Sequence, residues 1–132
     1  MNNNDIARAY IDLFNDPDAP INRFAAFWSP DVVFEEMPNL LAPQGSVRTY
    51  NEMLAGVAQG WQLLSEQTYR IVRAIGEEDV VALEVAWEGT LAMGFGAVET
   101  GAVLRARVAM FLTFAGGKIV HQRNYDAYDP LR

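Results

Sequence analysis

The residues best suited to chemistry stand late in the chain, in the stretch KIVHQRNYDAYDP from Lys118 to Pro130. Read as a strand, it alternates. Val120, Gln122, Asn124 and Asp126 point one way, and Ile119, His121, Arg123 and Tyr125 point the other. A strand near the end of a compact domain ordinarily gives one face to the core. Here a row of two amides and a carboxylate takes that place, and three inward polar groups demand partners or a ligand. Two other strand-like stretches carry acids among apolar neighbours. In DVVFEEM, Val32, Phe34 and Glu36 share a face; in VVALEVAWEG, Glu84 and Glu88 share one with Val80, Ala82 and Ala86. If these faces line a common hollow, Glu36, Glu84 and Asp126 approach one another at low dielectric. A buried carboxyl beside another has a raised pKa, which suits it to general acid–base work near neutral pH.

Other assignments stay open. Acids alternating on a strand also mark a solvated face, which would make Leu83, Val85 and Trp87 the core side. Glu36 follows Glu35, so parity alone decides which turns inward, and Asp126 can instead fix the turn before YDP. His121 lies opposite the amide row beside Arg123 and Tyr125. It reads as an outer-face or subunit-contact residue, because no nucleophile or orienting acid stands at a fixed spacing. Arg105 and Arg107 share a face expected to be the outer one, paired with acidic neighbours. The segment GFGAVETG is glycine-rich, yet no helix follows it; it reads as a hairpin tip, a flap over a pocket mouth, and not as a phosphate cradle.

The elements that must position these residues follow from periodicity and breakers. NDIARAYIDLFND places Ile6, Ala9, Tyr10, Leu13 and Phe14 at helical spacing, with Asn4 or Asp5 as cap. PINRFAAFWSP puts Ile21, Phe24, Ala25 and Trp28 on one stripe, opened by Pro20 and closed before Pro30. These two short helices are expected to form a lid. A short strand, Val32 to Glu36, ends at Pro38. Ser46 then caps a third helix with Val47, Tyr50, Met53, Leu54 and Val57 on its apolar side, and Gly60 ends it. Long strands follow at about 62–75, 79–92, 103–115 and 118–128, joined by short turns that favour antiparallel pairing. Early helices and late strands make this α+β rather than doubly wound. One curved sheet wrapped around the third helix would leave a hollow at its wide end.

The whole chain, 1–132, is expected to form one domain. With 51% hydrophobic residues and 7 Phe, 5 Tyr and 3 Trp it is no disordered segment. No cysteine is present, which removes disulfide and thiol chemistry; a single histidine argues against a His/Cys zinc site, and a carboxylate-only Mg or Ca site stays open but has no ligand loop. No metal or other cofactor is expected. The net charge of −7 argues against nucleic-acid and anionic-membrane partners. No basic-then-apolar leader opens the sequence and no apolar run reaches the roughly 20 residues of a bilayer span. A soluble cytoplasmic protein is the simplest expectation.

Four stretches together carry a resemblance: FWSPDVVFEEMP, the helix after GS, VVALEVAWEGTL, and FAGGKIVHQRNYDAYDP. This layout resembles the SnoaL-like branch of the nuclear transport factor 2-like superfamily, which includes polyketide cyclases, limonene epoxide hydrolase and ketosteroid isomerase. The resemblance extends from the first helix to Pro130. It implies a cone: a strongly curved, mostly antiparallel sheet closed by helices around a deep apolar pocket, often in a homodimer paired through the sheets. In the epoxide-hydrolase branch an Asp stands where this chain has Asn124. The Arg and Asp completing that set align with Glu84 and Ala86, and the water-binding Tyr and Asn align with Phe34 and Glu36. These departures count against epoxide opening. The cyclases use an acid of the last strand for proton transfer at carbon. Asp126 comes nearest to it, shifted by two positions on the same face.

The function expected from these observations is a cofactor-free enzyme moving a proton on an apolar carbonyl compound, by isomerisation, aldol cyclisation or dehydration. Glu36 or Asp126 would remove the proton, Asn124 and Gln122 would hold the oxygen, and Glu84 would join the polar lining. Trp28, Phe34, Trp61 and Met110 would supply apolar walls. The alternative is a non-catalytic ligand-binding or dimerisation module of the same fold; nothing in the residues points to a nuclear transport adaptor.

Overall fold

The computed structural model describes residues 1–94, 96 and 98–130. Phe95 and Ala97 of the expected hairpin tip lie outside the described residues. The chain runs as helix α1 (Asn3–Leu13), helix α2 (Ile21–Ala25), strand β1 (Trp28–Glu36), a short strand β2 (Ser46–Arg48) and helix α3 (Tyr50–Leu63). Four long strands complete it: β3 (Leu64–Glu77), β4 (Val80–Leu91), β5 (Val103–Ala115) and β6 (Lys118–Tyr128). They form one curled sheet in the order β2-β1-β6-β5-β4-β3. The fold is α+β, as expected, and the long strands follow the expected antiparallel meander. One pairing was not legible beforehand: β6 returns to lie parallel to β1.

Local chemistry explains the element ends. Asn2, and not Asn4 or Asp5, caps α1: its Oδ1 accepts from the Asp5 amide at 2.8 Å, while Asp5 answers the Asn2 amide. The third helix starts later than Ser46. Thr49 and Glu52 form its capping box, and the stretch around Ser46 pairs with β1 as β2, which leaves Val47 exposed. That helix also runs through Gly60 to Leu63; an internal glycine costs a helix about 1 kcal/mol relative to alanine and does not by itself end it. Trp28 is the first residue of β1, not the last of a helical stripe, because α2 ends at Ala25.

The core also differs from the expected arrangement. α1 lies on the sheet with Ala7, Tyr10, Ile11 and Leu13 buried, whereas Ala9 faces water. Full burial of side chains such as Ile11 and Phe24 contributes about 1.5–3 kcal/mol each. The core takes Val81, Leu83 and Val85 from β4, and Ala106, Val108, Met110, Leu112 and Phe114 from β5. α3 buries only Met53 completely, so its apolar stripe lies over a space that side chains do not fill.

The parity of β6 holds at its chemical end and fails at its start. Phe114 pairs with Ile119 but Thr113 pairs with His121, so Val120 is the extra residue of a bulge. Ile119 is therefore fully buried on the same side as Gln122, instead of facing outward with His121.

Candidate functional site

A cavity of about 320 Å3 occupies the space between α3 and the inner sheet face. Its walls include Trp28, Phe34, Trp61 and Met110, with Gln122 and Asn124 on one side. A second hollow, about 270 Å3, shares Arg48, Gly60, Leu64, Trp87 and Tyr128 with the first and reaches Glu36. Trp87 lies across Gly89, where an added Cβ would stand 2.5 Å from its ring. A glycine is required there if the indole is to lie flat in the wall. The Trp87 ring also meets Tyr128 edge-on and donates from Nε1 to Gln67 at 3.2 Å.

The inward amides belong to one buried hydrogen-bond chain. Trp28 Nε1 donates to the Tyr10 hydroxyl at 3.2 Å, and that hydroxyl donates to Gln122 Oε1 at 2.8 Å. Gln122 Nε2 donates in turn to Asn124 Oδ1 at 3.0 Å. Burial holds the Tyr10 phenol well above its ordinary pKa, so it stays protonated. Tyr10 comes from α1 and was not foreseen as part of the site. Its helical stripe reads as plain core, and its partner Gln122 lies 112 positions away.

The carboxylates separate. Glu36 sits beside Asn124 in the parallel β1–β6 register. It accepts from Asn39 Nδ2 at 2.8 Å and from Ser46 Oγ at 3.3 Å, with Arg48 at 4.0 Å. It is a fixed, charged group in the wall of the outer hollow. Asp126 also turns inward, opposite Val108, but does not itself line either space; its strand neighbours Asn124 and Tyr128 do. Its Oδ1 is buried without a hydrogen-bond partner. Burial first, and the Glu36 charge second, push its pKa up to about 6. Burial raises the Tyr69 and Tyr128 phenols most, and the Asp126 charge adds to both, which places them near Asp126.

Glu84 does not join them. It is exposed on the outer face, in register with Ala109 and Arg73, because the bulky partners of β4 take the inner side. Glu88 is likewise outside and meets Arg105 at 3.1 Å. Ala86 shares that face, so both positions aligned with the epoxide-hydrolase Arg and Asp point away from the cavity. His121 is on the outer face too, 2.7 Å from Glu35 Oε1, with Arg123 on the same oxygen at 3.2 Å. Among the described residues no group of three or more His, Cys, Asp or Glu converges as a metal site. No described helix is long and apolar enough to cross a membrane.

Comparison with known proteins bears on this geometry. The SnoaL-like domain family matches residues 7–122. The chain belongs to that family. Among solved structures, IdmH from Streptomyces antibioticus, a candidate polyketide cyclase, superposes with a TM-score of 0.78 at 19% identity, covering 96% of this chain and 92% of that one. A candidate SnoaL-like polyketide cyclase from a Jannaschia species gives 0.77 at 15% identity, covering 94% and 84%. AclR from Streptomyces galilaeus, a candidate hydroxylase, gives 0.77 at 19% identity, covering 95% and 74%. At such identities the likeness shows the SnoaL-like fold alone. No curated protein matches the sequence.

Proposed function

We propose that this SnoaL-like chain is a cofactor-free enzyme of the cyclase or isomerase type, moving a proton at carbon in an apolar carbonyl compound. The observation that carries the reading is Asp126: a carboxyl on the inner face, with one oxygen buried and unpartnered and a pKa near 6. A base needs such a value to be largely ionised at neutral pH yet able to hold a proton it has taken. Asp126 removes the proton alpha to the carbonyl. Asn124, with Gln122 behind it, holds the oxygen as it takes on enolate charge. Burial first and the Glu36 charge second raise Asp126, while Glu36 is held by Asn39, Ser46 and Arg48, so Asp126 is the base of the pair in this reading. The enolate then takes the proton back from Asp126 at another carbon, attacks a second carbonyl whose alkoxide takes that proton, or expels a hydroxyl that leaves as water with it. Trp28, Phe34, Trp61 and Met110 supply the apolar walls.

The second reading, a module that binds an apolar ligand without turnover, is favoured by one observation: Asp126 lies off the cavity surface. The two separate in a screen of polycyclic ketones by thermal shift and by exchange of the alpha hydrogens with deuterated solvent. Exchange in the wild type that Asp126→Asn abolishes, with binding retained, supports the enzyme. Binding without exchange overturns the proton-transfer reading in favour of the module.

Two copies paired through their outer sheet faces complete the proposal. Val33, Phe111 and Tyr125 are exposed there, and the last two form an edge-on ring pair. Loss of a dimer in Phe111→Asp, measured by sedimentation, is the expected result; a wild type that sediments as a monomer removes this part.

A further inference from the structure

We infer that Trp28, Tyr10 and Gln122 form a one-way hydrogen-bond relay that locks Asn124 with its amide N–H2 group toward the cavity, so that this wall accepts a ligand through a hydrogen-bond acceptor. The inference rests on the carbonyl-directed function proposed above and deepens it, by making Tyr10 and Gln122 positioning residues that decide which functional group the pocket takes.

The direction follows from the first link. An indole N–H can only donate. The Tyr10 oxygen receives it at 3.2 Å, so the phenol hydrogen is free to point only at its other neighbour, Gln122 Oε1, 2.8 Å away. That contact fixes the amide of Gln122, whose carbonyl end is now occupied. Its Nε2 faces Asn124 and donates to Oδ1 at 3.0 Å. The remaining end of the Asn124 side chain, Nδ2 with two N–H groups, is the one left for the cavity that Asn124 lines. Reversing Asn124 would set two amide N–H groups against each other in a site where Gln122 is only 4% exposed, and a buried donor without an acceptor costs about 1–3 kcal/mol. A phenol held protonated by burial keeps this polarity across the pH range in which Asp126 titrates.

The consequence is selectivity for a carbonyl or oxyanion oxygen over a hydroxyl. An alcohol can also accept from Asn124, but it must then bury its own O–H beside apolar walls.

The test uses a matched probe pair, 2-tetralone and 2-tetralol, with the full chain and with Tyr10→Phe and Gln122→Met, which break different links at nearly constant volume. The wild type is expected to bind the ketone about tenfold more tightly than the alcohol, as one unmatched buried hydrogen bond implies. Both variants should bring that ratio to within about twofold of unity. A ratio that survives in both variants overturns the relay. Side-chain amide hydrogen exchange, read by NMR, decides the relay even without a ligand. The Gln122 Nε2 protons should exchange at least about tenfold faster in Tyr10→Phe than in the wild type. Equal protection overturns it, because a Tyr10 that only fills volume would be replaced by Phe without loss. If neither probe binds the wild type while the exchange result holds, the carbonyl reading of the pocket fails and the relay stands.

Discussion

The two faces of the β1–β6 strand pair hold carboxylates in opposite circumstances. Outside, Glu35 meets His121 and Arg123, all three about a third exposed, and hydrogen bonds from those two partners hold its pKa below the usual carboxylate range. Inside, Asp126 makes no ion pair among the described residues and has an unpartnered oxygen, and burial first, with the Glu36 charge second, pushes its pKa up to about 6. The partners of Glu35, His121 and Arg123, stand on the same strand as Asp126 and within a few positions of it. What separates them is which side of the sheet faces water. The outer acid accepts from two basic partners; the inner one keeps a buried oxygen that accepts from none of the described residues.

The largest test of that contrast is catalytic. Asp126→Asn should lower proton-transfer turnover by about 10²–10⁴-fold, the range typical of a lost general base, whereas Glu35→Gln leaves it unchanged. Equal losses in the two would erase the distinction. Next is stability of the inner wall. Gln122→Leu leaves the Tyr10 hydroxyl and Asn124 Oδ1 without their partner, at a cost of about 1–3 kcal/mol in denaturant unfolding.

A third expectation concerns pH, and the two acids have opposite signs. The folded pKa of Asp126 is raised, so its contribution favours the fold below its ordinary value of 3.8 and is lost as pH rises through about 6. Relative to Asp126→Asn, the wild type should lose on the order of 2 kcal/mol across that window, after allowing for its partial exposure. Glu35 has a lowered pKa, so its contribution is present above the ordinary carboxylate value and fades as pH falls through the lowered one. Unfolding curves of both single variants between acid and neutral pH check the signs. The smallest effect is expected from Glu35→Gln at neutral pH: a slight fall in Tm that disappears in high salt, since the pair is exposed.

Much of this was legible in the residues. The strand boundaries of β5 and β6, the inward row of Gln122, Asn124 and Asp126, and the outward His121 all follow from alternation and turn residues. The family follows from motif order. Other features did not follow. Alternation counts residues, so it cannot register the bulge at Val120 that turns Ile119 inward. The acids of VVALEVAWEG satisfy either face, and only the packing of Val81, Leu83 and Val85 against α1 and β5 sends Glu84 outside. Tyr10 carries no local mark of its role, because a tyrosine on a helical stripe reads the same whether or not its hydroxyl finds an amide far along the chain.

The parallel pairing of β1 with β6 also bears on how the site comes into being. Arg123 meets Glu35 across a separation of 88 positions, and the amide row rides on the same strand. Helices and hairpin contacts close over short loops and form early, while this junction needs nearly the whole chain threaded first. The contact that brings Glu36 beside the amide row is thus expected to close after the β5–β6 hairpin that carries the row. A folding intermediate lacking only that junction would hold most of its core yet present an open, aromatic-lined trough to other chains.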